Sequence, residues 1–132
     1  EICPLCAQIE EEISKLDDEE EKEMFMADLG LTELGSTRLM QTAYRLLSLI
    51  TFFTGSEVDA HAWTIPAGSN AVKAAGAIHS DIARGFIRAE VIKYDDLIDA
   101  GSVSEVKNRG TFRLEGKEYL VADGDILNIR HG

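Results

Sequence analysis

The sequence has few cysteines, few prolines and no long apolar run. Cys3 and Cys6 are the only cysteines among 132 residues, which excludes a disulfide framework and favours a reducing, cytoplasmic location. Because no stretch of about 18 apolar residues is present, the sequence predicts no membrane-spanning helix. The G-x-x-x-x-G-K-[ST] pattern of a phosphate-binding loop is also absent, so the chain alone is not expected to hydrolyse a nucleotide.

Acidic side chains are in excess and are unevenly distributed. The formal net charge is -11, and residues 1–54 contain 12 acidic and 4 basic side chains, whereas residues 55–132 contain 12 acidic and 9 basic ones. Phosphate backbones would repel the first part, so sequence-specific DNA binding is not expected. The second part is balanced enough to carry a local basic surface. Since the first residue is Glu1 rather than methionine, we interpret the chain as part of a longer protein.

The acidic part predicts three helices after a short apolar strand, or strand end, at residues 1–7. Helical spacing indicates the first helix, and acidic residues at Asp17 and Asp18 precede the second, which should end at Gly30. Ser36 is the expected N-cap of the third. The side chains expected to face a core are Ile9, Ile13, Leu16, Met24, Phe25, Leu29, Leu39, Met40, Ala43, Tyr44, Leu47 and Ile50.

From residue 50 onward the pattern changes to strands. Strands are predicted at residues 50–54, 60–65, 86–93, 111–114, 119–121 and 126–130, with a helix of small side chains at residues 71–77. Turns are expected at Gly55-Ser56 and at residues 66–68, and the strands at 111–114 and 119–121 are expected to form a hairpin. Within residues 86–93, Ile87 should face the core together with Ala89 and Val91. Several strands around one helix predict an α+β domain.

Four segments of the second part suggest a family. They read Ala62-Trp63-Thr64-Ile65, Ile78-His79-Ser80-Asp81, Gly85-Phe86-Ile87-Arg88 and Asp123-Gly124-Asp125-Ile126. Together with Val58 before the first of them, they closely resemble the C-terminal TGS domain of the YchF (Obg-like ATPase) family. The resemblance implies a β-grasp TGS domain over residues 51–132. It implies that residues 1–50 are the end of a P-loop ATPase domain with its connecting helices.

The resemblance also implies a function for the parent protein rather than for this chain. A YchF-like parent would hydrolyse ATP or GTP with Mg²⁺ and would associate with ribosomes or RNA. Cys6-Ala7 resembles the motif whose small residues lie against the nucleotide base, and the upstream P-loop domain would be a partner within the same polypeptide. For this chain we expect no catalytic residue, no metal, no cofactor of its own and no membrane partner, only binding and regulation.

Two departures and two alternatives accompany this interpretation. His61 stands where the family usually has arginine, and Ile82-Ala83 replaces an aromatic-acidic pair. One alternative is a stand-alone TGS-type module that binds RNA or ribosomes. The other is a thiol redox protein, because Cys3-Pro4-Leu5-Cys6 is a C-P-x-C pattern. Too few residues precede Cys3 to form the strand that presents such a motif, so we favour a structural role for both thiols.

The predicted contact residues are mainly basic. Three arginines are expected on the strand faces that point away from the apolar residues: Arg88, Arg113 and Arg130. On those faces they could form a basic strip that contacts RNA phosphates. The competing hypothesis is a solvated face on which Glu90 neutralises Arg88. His79 is expected to organise its loop, with a partner contact as second hypothesis. The complete predicted contact set is Arg84, Arg88, Arg113, Arg130, Lys93 and His79.

Overall fold

The computed structural model describes residues 2–55 and 59–132. The chain separates into a helical unit, Glu1–Leu47, and a sheet unit, Ser48–Gly132. Of the expectations above, Val58 and the second residue of the Gly55-Ser56 turn lie outside the described residues. Within the described ranges, every helix is too short or too polar to cross a membrane.

The helical unit contains α1 (Ala7–Ser14), α2 (Glu19–Asp28) and α3 (Gly35–Leu46). The predicted strand at residues 1–7 is wrong where the structure describes it, because residues 2–6 have no regular structure and α1 begins at Ala7. Pro4 lacks the N–H that a ladder hydrogen bond requires, which disfavours a strand here.

Acidic side chains cap the N-termini of two of these helices. The Asp18 carboxylate accepts a hydrogen bond from the Glu20 backbone N–H at 2.9 Å, so Asp18 is the N-cap of α2 as its position predicts. The prediction that Ser36 caps α3 is wrong. The Glu10 carboxylate of α1 accepts from the Gly35 and Ser36 backbone N–H groups at 2.7 and 3.2 Å instead. A charge-assisted bond from another helix thus replaces the local cap.

The apolar side chains of the helical unit are mostly exposed. Ile13, 2% exposed, is the one buried apolar side chain among the described residues of this unit. Met24, Met40 and Leu47 are 69%, 61% and 68% exposed, so the prediction that α2 and α3 bury them is wrong. Helical spacing identifies an apolar face but does not show that anything covers it.

In its described residues, the sheet unit is a five-stranded sheet with four helices. Its elements in chain order are β1 (Leu49–Gly55), β2 (Ala60–Pro66), α4 (Ala71–Ile78), α5 (Ser80–Arg84), β3 (Phe86–Lys93), α6 (Tyr94–Ala100), α7 (Val103–Asn108), β4 (Arg113–Glu115) and β5 (Asp125–His131). The strand order is β2-β1-β5-β3-β4. β1 pairs with β5 in parallel and the other pairs are antiparallel. The mixed α+β class is therefore confirmed.

The core of the sheet unit lies between α4 and one face of the sheet. The Asn70 side chain caps α4 by accepting from the Lys73 backbone N–H at 3.0 Å. The inner face of α4 carries alanines that are fully buried, which lets the helix lie close to the strands. The buried cluster comprises Phe52, Ile65, Ala71, Ala74, Ala75, Phe86, Ala89, Val91, Val121 and Leu127.

Two strand predictions in this unit are wrong. Residues 119–121 do not pair with β4, which pairs with β3 instead, and only Leu120 forms a bridge, to Asn70. Ile87 is 57% exposed rather than buried. A bulge between Phe86 and Arg88 takes Ile87 out of the ladder and puts Phe86 into the core in its place.

Candidate functional site

The exposed end of the outer sheet face carries two arginines. The register of β3 and β5 places Arg88 opposite Arg130 and Glu90 opposite Asn128, so all four side chains share one face. Glu90 accepts hydrogen bonds from the Arg130 Nε at 2.6 Å and from the Asn128 Nδ2 at 2.7 Å. The hypothesis that Glu90 neutralises Arg88 is therefore wrong, because Glu90 pairs with Arg130.

Of the two arginines on this face, Glu90 compensates the charge of one. Partial burial acts to raise the pKa of Glu90, but the hydrogen bonds from Arg130 and Asn128 outweigh it, so this pKa lies below its ordinary value. Glu90 is thus fully charged near neutral pH and balances Arg130. Arg88 is exposed and makes no side-chain hydrogen bond or ion pair within residues 2–55 and 59–132.

Arg113 lies on the opposite face of the sheet. β4 pairs with β3 so that Arg113 is opposite Val91 and Leu114 is opposite Glu90. Arg113 therefore lies on the side of the sheet that faces the core, whereas Leu114 lies on the outer side and is 56% exposed. A strip that joins Arg113 to Arg88 and Arg130 therefore does not form. The side chains of β4 still alternate, but the face that carries Arg113 is turned toward the core, where the buried carboxylate of Asp125 attracts the guanidinium.

Asp125 is the centre of a buried polar network. Its carboxylate, 1% exposed, accepts from the Tyr119 hydroxyl at 2.7 Å and from the Ala122 backbone N–H at 2.9 Å. The Arg113 Nη2 lies 3.7 Å from Asp125 Oδ1 and donates to the Tyr119 hydroxyl at 3.1 Å. Burial, followed by the bond to Asp125, raises the pKa of Tyr119. These contacts tie Arg113 to the framework of the unit.

His79 and Arg84 belong to a turn between two helices. The His79 Nδ1 accepts from the Asp81 backbone N–H at 3.1 Å, so His79 caps α5 and organises this turn. The Asp81 carboxylate pairs with Arg84 at 2.6 Å. Arg84 is therefore neutralised locally, and a partner contact by either residue stays a prediction.

Lys93 is separated from the arginine pair. Lys93 is the last residue of β3 and is opposite Asp125, on the same side of the sheet as Arg113. Its side chain is nevertheless exposed. Of the six predicted contact residues, the structure brings together Arg88 and Arg130.

Cys6 and Ala7 stand at the start of α1. Cys6 is the N-cap residue without a side-chain hydrogen bond to the helix, and its carbonyl accepts from the Glu10 backbone N–H at 3.1 Å. Both residues are exposed and both thiols of the chain are free. A contact of Cys6 and Ala7 with a nucleotide base stays a prediction. Among the residues described, no three metal-ligating side chains cluster.

Sequence reasoning missed three features of these regions. They are the Glu10 cap of α3, the network around Asp125 and the bulge at Ile87. The Asp123-Gly124-Asp125 sequence signals a turn but not which carboxylate is buried, and period-two alternation gives no sign of a bulge.

Comparison with known proteins identifies the relatives of the chain. The YchF-GTPase_C family model, described as a protein of unknown function, matches residues 49–132. The chain belongs to the YchF family. It is 49% identical over 129 residues to the ribosome-binding ATPase YchF of Pasteurella multocida and 48% identical over 130 residues to that of Bacillus subtilis. In both cases 98% of this chain matches 35% of the relative, so the chain spans about a third of their length and corresponds to their C-terminal part.

Two solved structures resemble this chain. The YchF GTPase of Schizosaccharomyces pombe superposes with a TM-score of 0.85 at 31% identity, over 96% of this chain and 33% of that one. A GTP-binding protein of Pyrococcus horikoshii superposes with a TM-score of 0.53 at 22% identity, over 84% of this chain and 28% of that one, which indicates a shared fold only.

Proposed function

We propose that this chain is the non-catalytic C-terminal portion of a YchF-type P-loop ATPase or GTPase and that it contributes to ribosome binding. The observation that carries the proposal is the match of 98% of the chain to proteins named ribosome-binding ATPases, of which it covers only 35%. Because the sequence has no phosphate-binding loop, nucleotide chemistry would belong to the remaining two thirds of such a protein. Ribosome binding would also place the protein in the cytoplasm.

The proposed organisation is a TGS domain of β-grasp fold at residues 51–132, preceded by the end of the ATPase domain and its connecting helices at residues 1–50. The β-grasp proposal is supported by a mixed sheet that packs one face on α4. The proposal for residues 1–50 is supported by their exposed apolar helices, which are typical of a segment that belongs to a larger domain.

The parent would bind ATP or GTP with Mg²⁺, and in this chain only Cys6 and Ala7 would meet the nucleotide. Their contribution would be a contact with the base, because small exposed side chains at the start of α1 permit a close approach. Every phosphate and metal contact would come from outside this chain. Hydrolysis is therefore not a property we assign to it.

Co-sedimentation of the 132-residue chain with purified ribosomes tests the proposal. We expect the chain to pellet with ribosomes in a salt-dependent manner and to show no ATP or GTP hydrolysis above background. Arg88→Glu should weaken the binding, whereas Lys117→Glu should not, although both variants change the net charge by the same amount. Lys117 is an exposed turn residue on a different part of the sheet unit and serves as the matched control. A chain that stays in the supernatant at low salt would contradict the proposal.

A further inference from the structure

The bulge in β3 creates a patch that combines an apolar and a cationic side chain. The ladder pairs Phe86 with His131 and Arg88 with Arg130, which are consecutive in β5, so Ile87 is an extra residue without a partner. Its side chain is 57% exposed beside Arg88, the arginine that makes no ion pair in the described part of the chain. Bulges often aim a side chain outward at a binding site.

The bulge is held by close backbone contacts. The Gly132 backbone N–H donates to the Gly85 carbonyl at 3.0 Å, one residue before β3 begins. A Cβ atom at Gly85 would collide with the Gly132 carbonyl oxygen, so only glycine permits this approach. The backbone next to the bulge is thus constrained, which should lower the ordering needed on binding.

We propose that Ile87, Arg88 and Arg130 form a docking patch for ribosomal RNA, in which the Arg88 guanidinium binds a backbone phosphate and Ile87 contacts the adjacent ribose or base. This inference rests on the proposed ribosome binding and names the partner at the same face. Arg130 is oriented by Glu90 at 2.6 Å and would contribute its remaining N–H donors.

Charge and shape favour RNA over an acidic protein. A chain with a net charge of -11 has no long-range attraction for either partner, so binding must come from strong short-range contacts. A phosphate accepts two parallel hydrogen bonds from one guanidinium, and the nucleotide places an apolar sugar or base face beside it. Within the described residues, Arg88 has no ion pair and stands next to the exposed aliphatic side chain of Ile87, which matches this pairing. An acidic peptide is the alternative outcome of the test.

Binding of the 132-residue chain is measured in parallel to intact ribosomes and to protein-free ribosomal RNA, at several salt concentrations. Arg88→Gln should weaken binding to ribosomes and to RNA about tenfold. It should also reduce the slope of log affinity against log salt concentration by about one, because one phosphate contact is lost. Ile87→Ser should weaken both by about threefold to tenfold without changing the slope. Lys117→Gln, the matched surface control, should stay within about twofold.

Each other outcome overturns a defined part of the account. Wild-type binding with Arg88→Gln and Ile87→Ser both unaffected would remove the patch and leave the proposed ribosome binding intact. Weakened binding to ribosomes, with the chain failing to bind protein-free RNA, would assign the patch to an acidic protein and reject RNA. A wild-type chain that binds neither ribosomes nor RNA would overturn the proposed function together with the patch. Because both substituted side chains are exposed, circular dichroism spectra should match the wild type.

Discussion

The helical unit and the sheet unit contain similar apolar side chains but bury them to very different degrees. Among the described residues of the sheet unit, ten side chains form one buried cluster between α4 and the strands. In the described part of the helical unit, one apolar side chain is buried, and methionine and leucine side chains of α2 and α3 are more than half exposed. Stability of this chain should therefore come mainly from Ser48–Gly132.

The contrast shows what apolar spacing can and cannot indicate. In both units it identifies the face of each element that avoids water. Only in the sheet unit does the chain also supply the surface that covers this face. Under the proposed organisation, residues 1–50 belong to a larger ATPase domain, and the exposed apolar side chains of α2 and α3 would contact that domain.

The largest expected effect comes from a core deletion in the sheet unit. Phe52 is fully buried, so Phe52→Ala should lower the free energy of unfolding by about 3–5 kcal/mol. Met24→Ala, at a position that is 69% exposed, should change it by less than about 0.5 kcal/mol. Urea unfolding followed by the fluorescence of Trp63, the only tryptophan, measures both. Equal effects of the two substitutions would remove the contrast between the units.

The next effect concerns the network around Asp125. Asp125→Ala removes the acceptor of Tyr119 and Ala122 and leaves Arg113 without its buried partner. Removing one member of a buried ion pair lowers the free energy of unfolding by about 3–5 kcal/mol. We expect a decrease of about 2–4 kcal/mol here, because the Arg113 side chain is 36% exposed and solvent weakens its interaction with Asp125. The control is Asp99→Ala in α6, at an exposed acidic position. In the same urea titration it should change the free energy of unfolding by less than about 0.5 kcal/mol. An unchanged free energy of unfolding in Asp125→Ala would show that the network contributes no stability.

A smaller effect is expected at alkaline pH. Burial, followed by the bond to Asp125, raises the pKa of Tyr119 in the folded state, so its contribution to stability is complete below the unfolded pKa of about 10. The contribution is lost as the pH rises through the folded value. Unfolding free energies between pH 9 and about 11.5 should therefore fall more steeply for the wild type than for Tyr119→Phe. Parallel curves would refute this assignment.

The smallest effect should lie in the helical unit. The hydrogen bond from the Gly35 backbone N–H is the main cause that lowers the pKa of Glu10, with a further contribution from Ser36. Its stabilisation is present above the unfolded pKa and is lost as the pH falls through the folded value. Glu10→Gln should therefore reduce the acid dependence of the NMR shifts of the Gly35 and Ser36 amides. Glu11→Gln on the same helix is the control and should leave these shifts unchanged.

The sequence predicted the sheet unit better than the helical one. Alternation and turn chemistry located β1, β2, β3, β5 and α4 closely, because the strands and the helix are covered within the same unit. It failed at Ile87, where a bulge interrupts alternation, and at Arg113, whose face turns toward a buried carboxylate. Both failures lie where local pattern competes with a contact from a distant residue. Of the candidate site, the sequence supplied Arg88 and Arg130 but not Ile87.

Hydrogen exchange of the whole chain tests the central contrast most directly. Amides of β3 and β5, which have strand partners on both sides, should exchange only through global unfolding. Amides of α2, which buries none of its residues, should exchange orders of magnitude faster under the same conditions. Equal protection in α2 and β3 would contradict the account, because it would show that the helical unit is as stable as the sheet unit.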